Sequence, residues 1–150
     1  MKTPLFRPQT EWIPPTDFPD LSKYDEIAID LETKDPNLNE RMGSGSVVGV
    51  GDVVGISLAT HDWCAYYPIA HEGGGNMDRK MVLKWLQDQM NTDSTKIFHN
   101  AMYDICWLRS IGINVKGQIV DTMIAASLID ENRYRYDLNG LSRDYIGKGK

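Results

Sequence analysis

A chain of 150 residues with 41% hydrophobic content is long enough to bury one sizeable core. No apolar run approaches the ~20 residues that span a bilayer, and the N-terminus lacks a signal-peptide core, so the sequence reads as soluble and cytoplasmic. Net charge is −5, from 21 acidic and 16 basic residues, which argues against a broad duplex-gripping surface but allows an enzyme that holds a few terminal nucleotides through bound cations.

Residues 1–24 carry five of the seven prolines (Pro4, Pro8, Pro14, Pro15, Pro19), which forbids a regular element there and predicts an extended lead-in or linker before a domain over 25–150. Glu26 to Leu31 reads as a strand, residues 35–51 as a Gly/Ser/Asn-rich loop, and Val53–Ala59 and Trp63–Ile69 as two strands joined by a short turn. Met77, Met81, Val82, Trp85, Leu86 and Met90 recur at helical spacing. Lys96-Ile97-Phe98 is a short buried strand, and 101–111 is a helix so apolar that burial on nearly all sides is expected. Val120 ends another strand, Asp121 caps a helix over Met123–Ile129, and Asp137 caps a last helix ending near Gly147. Three strands in a meander followed by helix, strand, helix, strand, helix predict an α/β domain with a mixed sheet. Cys64 and Cys106 lack ligand spacing and read as reduced, buried thiols.

The chemistry starts at Asp30 and Glu32. Residues two apart on a strand share a face, so both carboxylates project together at the carboxyl end of the first strand while Ile27, Ile29 and Leu31 take the other side. Carboxylates that close repel unless protonated or metal-bound. A chance acidic pair at a solvated strand end is the bland alternative. Asp104 lies on the apolar helix, in one stripe with Trp107, Leu108 and Ile111, where an uncompensated carboxylate costs several kcal/mol. A buried arginine, backbone donors, or a metal shared with Asp30 and Glu32 would each compensate it; Asn100 lies one turn earlier.

Ala28-Ile29-Asp30-Leu31-Glu32-Thr33 resembles the first exonuclease motif of the DEDD superfamily, and Phe98-His99-Asn100-Ala101-Met102-Tyr103-Asp104 resembles the second. Val54 to Ala59 and Ala65 to His71 are similar to the strand pair of proofreading domains in family-A DNA polymerases, as are Val120-Asp121-Thr122-Met123 and the Leu138, Leu141, Tyr145 series. The resemblance covers about residues 25–147. It implies a ribonuclease H-like fold, with a three-strand antiparallel meander plus parallel strands flanked by helices. It also implies Asp30, Glu32 and Asp104 as catalytic metal ligands for two Mg2+ or Mn2+ ions, and Thr33, His99 and Asn100 as contacts to the terminal nucleotides. The activity implied is two-metal 3′→5′ hydrolysis at the 3′ end of single-stranded DNA, proofreading for a polymerase domain in cis or in trans.

The family's third motif, Tyr-x-x-x-Asp, is missing: no tyrosine in the chain is followed four residues later by aspartate. The domain therefore reads as C-terminally incomplete, with weak or no activity expected of these residues alone. Two alternatives stand beside this reading: RNA 3′-end trimming of the ribonuclease D kind, and a non-catalytic module that binds nucleic acid or a polymerase. Gly43-Ser44-Gly45 with Gly49 reads as a flexible loop, His71 as a strand-end residue, and the basic residues Arg133, Arg135, Arg143, Lys148 and Lys150 as a solvated face or a single-strand path.

Overall fold

The computed structural model describes residues 12–40 and 43–148. Five strands form one sheet: β1 (Glu26–Lys34), β2 (Asp52–Ala59), β3 (Cys64–Pro68), β4 (Thr95–Phe98) and β5 (Ile119–Asp121), in the order β3-β2-β1-β4-β5. The β1–β2 and β2–β3 pairs are antiparallel, whereas β1–β4 and β4–β5 are parallel. This is the mixed sheet expected from the sequence. Helices α2 (Arg79–Met90) and α3 (Ala101–Ser110) connect β3 to β4 and β4 to β5, α4 (Thr122–Ile129) and α5 (Leu138–Ile146) follow β5, and a short α1 (Pro36–Asn39) follows β1.

Strand alternation sets the core. Ile27, Ile29 and Leu31 are buried, and so are Val53, Ile56 and Leu58 of β2, with Val82, Trp85, Leu86 and Met90 of α2 and Trp107 and Leu108 of α3 in the same cluster. The α2 face is narrower than its apolar pattern predicts. Met81 is exposed, and Met77 packs against the core from outside the helix, which begins after the Asp78 cap. Burial of α3 on nearly all sides is also not found: Ala101, Asp104, Trp107 and Leu108 form one buried stripe at three- and four-residue spacing, while Met102 is 75% exposed. Nor are both thiols buried. Cys64 is exposed because it opens β3, an edge strand, and Cys106 is half-buried.

The described part of the proline-rich lead-in, residues 12–24, has no helix or strand, yet it belongs to the packing. Leu21 is in the core, its amide bonds Gln89 Oε1 at 2.8 Å, Trp85 Nε1 donates to the Pro19 carbonyl at 2.8 Å, and Phe18 stacks on Tyr67. Residues 1–11 lie outside the described part.

The described residues of the 35–51 segment, 35–40 and 43–51, are also more ordered than their composition suggests. Buried Asp35 caps α1 through the Leu38 amide at 3.3 Å and receives the Gly45 amide at 3.1 Å and the Tyr103 hydroxyl at 3.1 Å. A Cβ on Gly45 would stand 2.0 Å from the Val50 carbonyl oxygen, so this closure requires glycine.

Candidate active site

The carboxyl end of β1 carries the first acidic pair. Asp30 and Glu32 alternate with the buried Ile29 and Leu31, so they share the opposite face. Asp30 is half-buried and lines a cleft of about 570 Å³ with Ala28, Tyr66, His99, Thr122 and Leu138, while Glu32 is exposed. Just beyond Glu32 the β1–β2 register slips: Glu32 pairs with Gly55, but Thr33 pairs with Val53. An irregularity of this kind twists a strand locally and re-aims the side chains beside it.

Gly55 explains a second feature of this corner. A Cβ there would fall 1.8 Å from the Tyr66 hydroxyl, so the absence of a side chain lets the phenol lie across β2. The hydroxyl bonds His71 Nε2. Burial, and then the charge of Glu32, push the Tyr66 phenol above its usual range. Tyr66 lies in the Ala65–His71 segment without a site role of its own in the sequence, and His71 reads from sequence as a mere strand end. Their pairing depends on a glycine on another strand, and no local pattern announces that.

The second acidic element is α3. Asp104 is 4% exposed and sits in the first turn, where the positive end of the helix dipole favours a carboxylate. Its neighbour Tyr103 ties the helix to β1: Thr33 Oγ1 lies 2.8 Å from the Tyr103 hydroxyl, which in turn donates to Asp35 Oδ2 at 3.1 Å. Thr33 thus has an internal partner. His99 is likewise engaged at both ring nitrogens, with Nδ1 2.9 Å from Thr122 Oγ1 and Nε2 donating to the Tyr136 carbonyl at 2.8 Å. It pins the end of β4 to α4 and to the loop before α5. Asn100, between them, is exposed and has left-handed backbone.

Asp121 caps α4 through the Met123 amide at 2.9 Å, as its sequence position predicts. It also takes the Asn100 and Ala101 amides, at 3.1 and 2.8 Å. Burial raises the Asp121 carboxyl, but the Ala101, Asn100, Met123 and Ile124 amides together outweigh it and hold the group below the usual aspartate range. Of the basic C-terminal residues, Arg133 is paired with Asp144 and only Lys150 falls outside the described residues.

The structure brings Asp30 and Glu32 to one strand face, and the Thr33–Tyr103 bond fastens α3, with Asp104, to the same strand end. The expected three-carboxylate convergence is not preformed: among the described residues no three His, Cys, Asp or Glu side chains stand as a group that could hold a metal. The donor chemistry nevertheless suits a hard divalent cation. Magnesium keeps several waters and is usually held by one or two carboxylates plus substrate phosphates, without a complete protein cage.

Fold and acidic strand end together define a ribonuclease H-like domain. The family model for the 3′-5′ exonuclease of DNA polymerase A matches residues 18–150, and the chain belongs to that family. A DNA-directed DNA polymerase of Pseudomonas phage M6 is 31% identical over 158 aligned residues, covering 100% of this chain and 24% of that polymerase. The chain thus spans about a quarter of that relative's length. Among solved structures, Brucella melitensis NrnC with bound Mg2+ superposes with a TM-score of 0.58 at 20% identity, covering 87% of this chain and 58% of that one. Escherichia coli RNase D, an exoribonuclease, gives 0.60 at 15% identity, covering 86% and 30%. These two likenesses concern the fold. Among the described residues, no helix is long and apolar enough to cross a membrane.

Proposed function

We propose that this chain contributes to a 3′→5′ exodeoxyribonuclease site that removes terminal nucleotides from single-stranded DNA and proofreads for a polymerase domain. The observation that carries the reading is the placement of Asp30 and Glu32: one face, the carboxyl end of β1, with Asp30 in the wall of the cleft. Asp30, Glu32 and Asp104 would hold two divalent cations, magnesium or manganese. Such cations supply an activated water and neutralise charge on the leaving 3′ oxygen.

The chain's own groups do the rest. Asp30 and Glu32 present oxygens on a strand paired with β2 at both positions, while β4 holds its opening residues Glu26 to Ala28. Buried Asp104 contributes a carboxylate oriented by α3, which the Thr33–Tyr103–Asp35 relay locks to β1. With Thr33 and His99 bonded internally, they act by holding the frame, and exposed Asn100 is the direct contact to the terminal nucleotide.

The test uses the full-length protein that carries this chain, a 5′-labelled single-stranded DNA and magnesium. Stepwise shortening from the 3′ end with release of 5′-mononucleotides, stopped by chelator and lost in Asp30→Ala, is the expected result. Unchanged shortening in Asp30→Ala would reject the site. A matched RNA oligonucleotide degraded faster than the DNA would favour the ribonuclease D reading, and binding without shortening would favour the non-catalytic one.

A further inference from the structure

A helix N-cap residue ordinarily has extended backbone and turns its own side-chain oxygen back onto the second or third amide of the helix. Asn100 does neither. Its φ and ψ are 69° and 56°, it is the only non-glycine residue with positive φ among the described residues, and its side chain makes no capping bond. Asparagine tolerates this conformation better than most residues but still pays for it, and such strain persists where surrounding contacts impose it.

The contacts that impose it come from Asp121 at the end of β5. Asp121 stands opposite Phe98 in the parallel β4–β5 register, so the chain leaving β4 passes directly by its carboxylate. Oδ1 takes the Asn100 amide at 3.1 Å and Oδ2 takes the Ala101 amide at 2.8 Å, while Oδ1 also receives Met123 at 2.9 Å. One carboxylate therefore closes the first turns of α3 and α4 together. The Asn100 and Ala101 amides are the N-cap amide and the first helical amide of α3, which the side chain of an N-cap residue does not ordinarily take, and the carboxylate that accepts them lies 21 positions from Asn100. Held from outside the helix in this way, Asn100 is left-handed, and its exposed side chain makes no bond to the helix amides.

We propose that Asp121 is a positioning residue for nucleotide binding: by accepting the Asn100 and Ala101 amides it holds Asn100 left-handed, with the Asn100 carboxamide turned to hydrogen-bond the terminal nucleotide. The inference rests on the reading of Asn100 as a nucleotide contact given above. Asp121 itself touches no substrate. Its effect on binding runs through the backbone of one residue.

The experiment combines nuclear magnetic resonance of Asn100 with titration of a short oligothymidylate in calcium, on the chain and its Asp121→Ala, Asp121→Asn, Asn100→Gly and Asp121→Ala/Asn100→Gly variants. Glycine adopts positive φ freely, so Asn100→Gly keeps the backbone and removes only the carboxamide. The expected result has three parts. Asp121→Ala moves the Asn100 backbone shifts out of the left-handed range. It also lowers oligothymidylate affinity about tenfold, or ~1.4 kcal/mol, with Asp121→Asn, which keeps one carbonyl acceptor, falling less. Asn100→Gly loses a similar factor, and the double variant loses no more than Asn100→Gly alone.

An Asn100 that stays left-handed in both Asp121 variants overturns the proposal. So does a double variant that loses both factors, because Asp121 would then act on binding through the general fold. If Asn100→Gly binds as tightly as the unaltered chain while Asp121→Ala still displaces the Asn100 backbone, the nucleotide role of Asn100 itself fails, and that outcome is distinct from a failure of Asp121 to hold it. Absence of any oligothymidylate binding by the unaltered chain likewise rejects the underlying reading.

Discussion

Lys96→Met is expected to destabilise the domain by ~2–4 kcal/mol, although methionine fills most of the same space. Lys96 is fully buried in β4, and its Nζ donates to the carbonyls of Thr92, Ser94 and Lys116 at 2.8, 2.9 and 2.9 Å, with Thr92 Oγ1 at 3.3 Å. Burial pushes the ammonium below the usual lysine range, with nearby Asp93 pulling the other way. An ammonium surrounded only by oxygens is held as a three-fold donor, and its removal leaves carbonyls from two separate loops without their partner. The close approach of those loops is visible at Gly117, where a Cβ would stand 2.3 Å from the Ser94 carbonyl oxygen. Urea unfolding checks the prediction: the midpoint should drop with an unchanged slope. A loss below ~0.5 kcal/mol would mean that water replaces the ammonium without difficulty, and that the clamp contributes little to anchoring β4.

The second large effect separates two neighbours on α3. Trp107→Ala should cost ~3–5 kcal/mol by opening a cavity, because the indole is 2% exposed and packs against the Tyr103 ring at 6.4 Å. Asp104→Asn, one turn earlier and equally buried, should leave the fold within ~1 kcal/mol of the unaltered chain, because the amide matches the carboxylate in shape. In the full-length protein it should nevertheless remove nearly all nuclease activity. Thermal melts of both variants beside a nuclease assay decide the matter. If Asp104→Asn unfolds as readily as Trp107→Ala, the carboxylate is a structural partner inside the helix packing and not a ligand.

Much of this arrangement is legible in the sequence, and the legible parts share a cause. The face shared by Asp30 and Glu32 follows from the two-residue period of β1, and the start of α5 from the Asp137 side chain, which accepts the Gly140 amide at 2.9 Å. Gly147, with φ of 68°, ends that helix as its position suggests. These are local rules, complete within a few residues. What the sequence withholds is long-range. Asp121 reads as the cap of the helix it precedes, and its hold on α3 becomes visible only when β5 is laid beside β4. His99 reads as a substrate contact, but its ring is engaged by Thr122 and by Tyr136, 23 and 37 positions away. Cys64 reads as buried because cysteines usually are, whereas strand order puts it on an edge. Tyr66 and His71 become part of the acidic corner only through the missing side chain of Gly55.

If Asp30 and Glu32 form the cation-binding end of a nuclease site, calorimetric titration of manganese detects it without depending on catalysis. Two adjacent carboxylates on a fixed strand repel when no cation is present, so the unaltered chain should bind manganese and melt at a higher temperature in its presence. The Asp30→Asn/Glu32→Gln variant should show neither the binding heat nor the shift, and its cation-free form should melt no lower than that of the unaltered chain. Manganese affinity that is the same in the variant as in the unaltered chain would remove these two residues from the site.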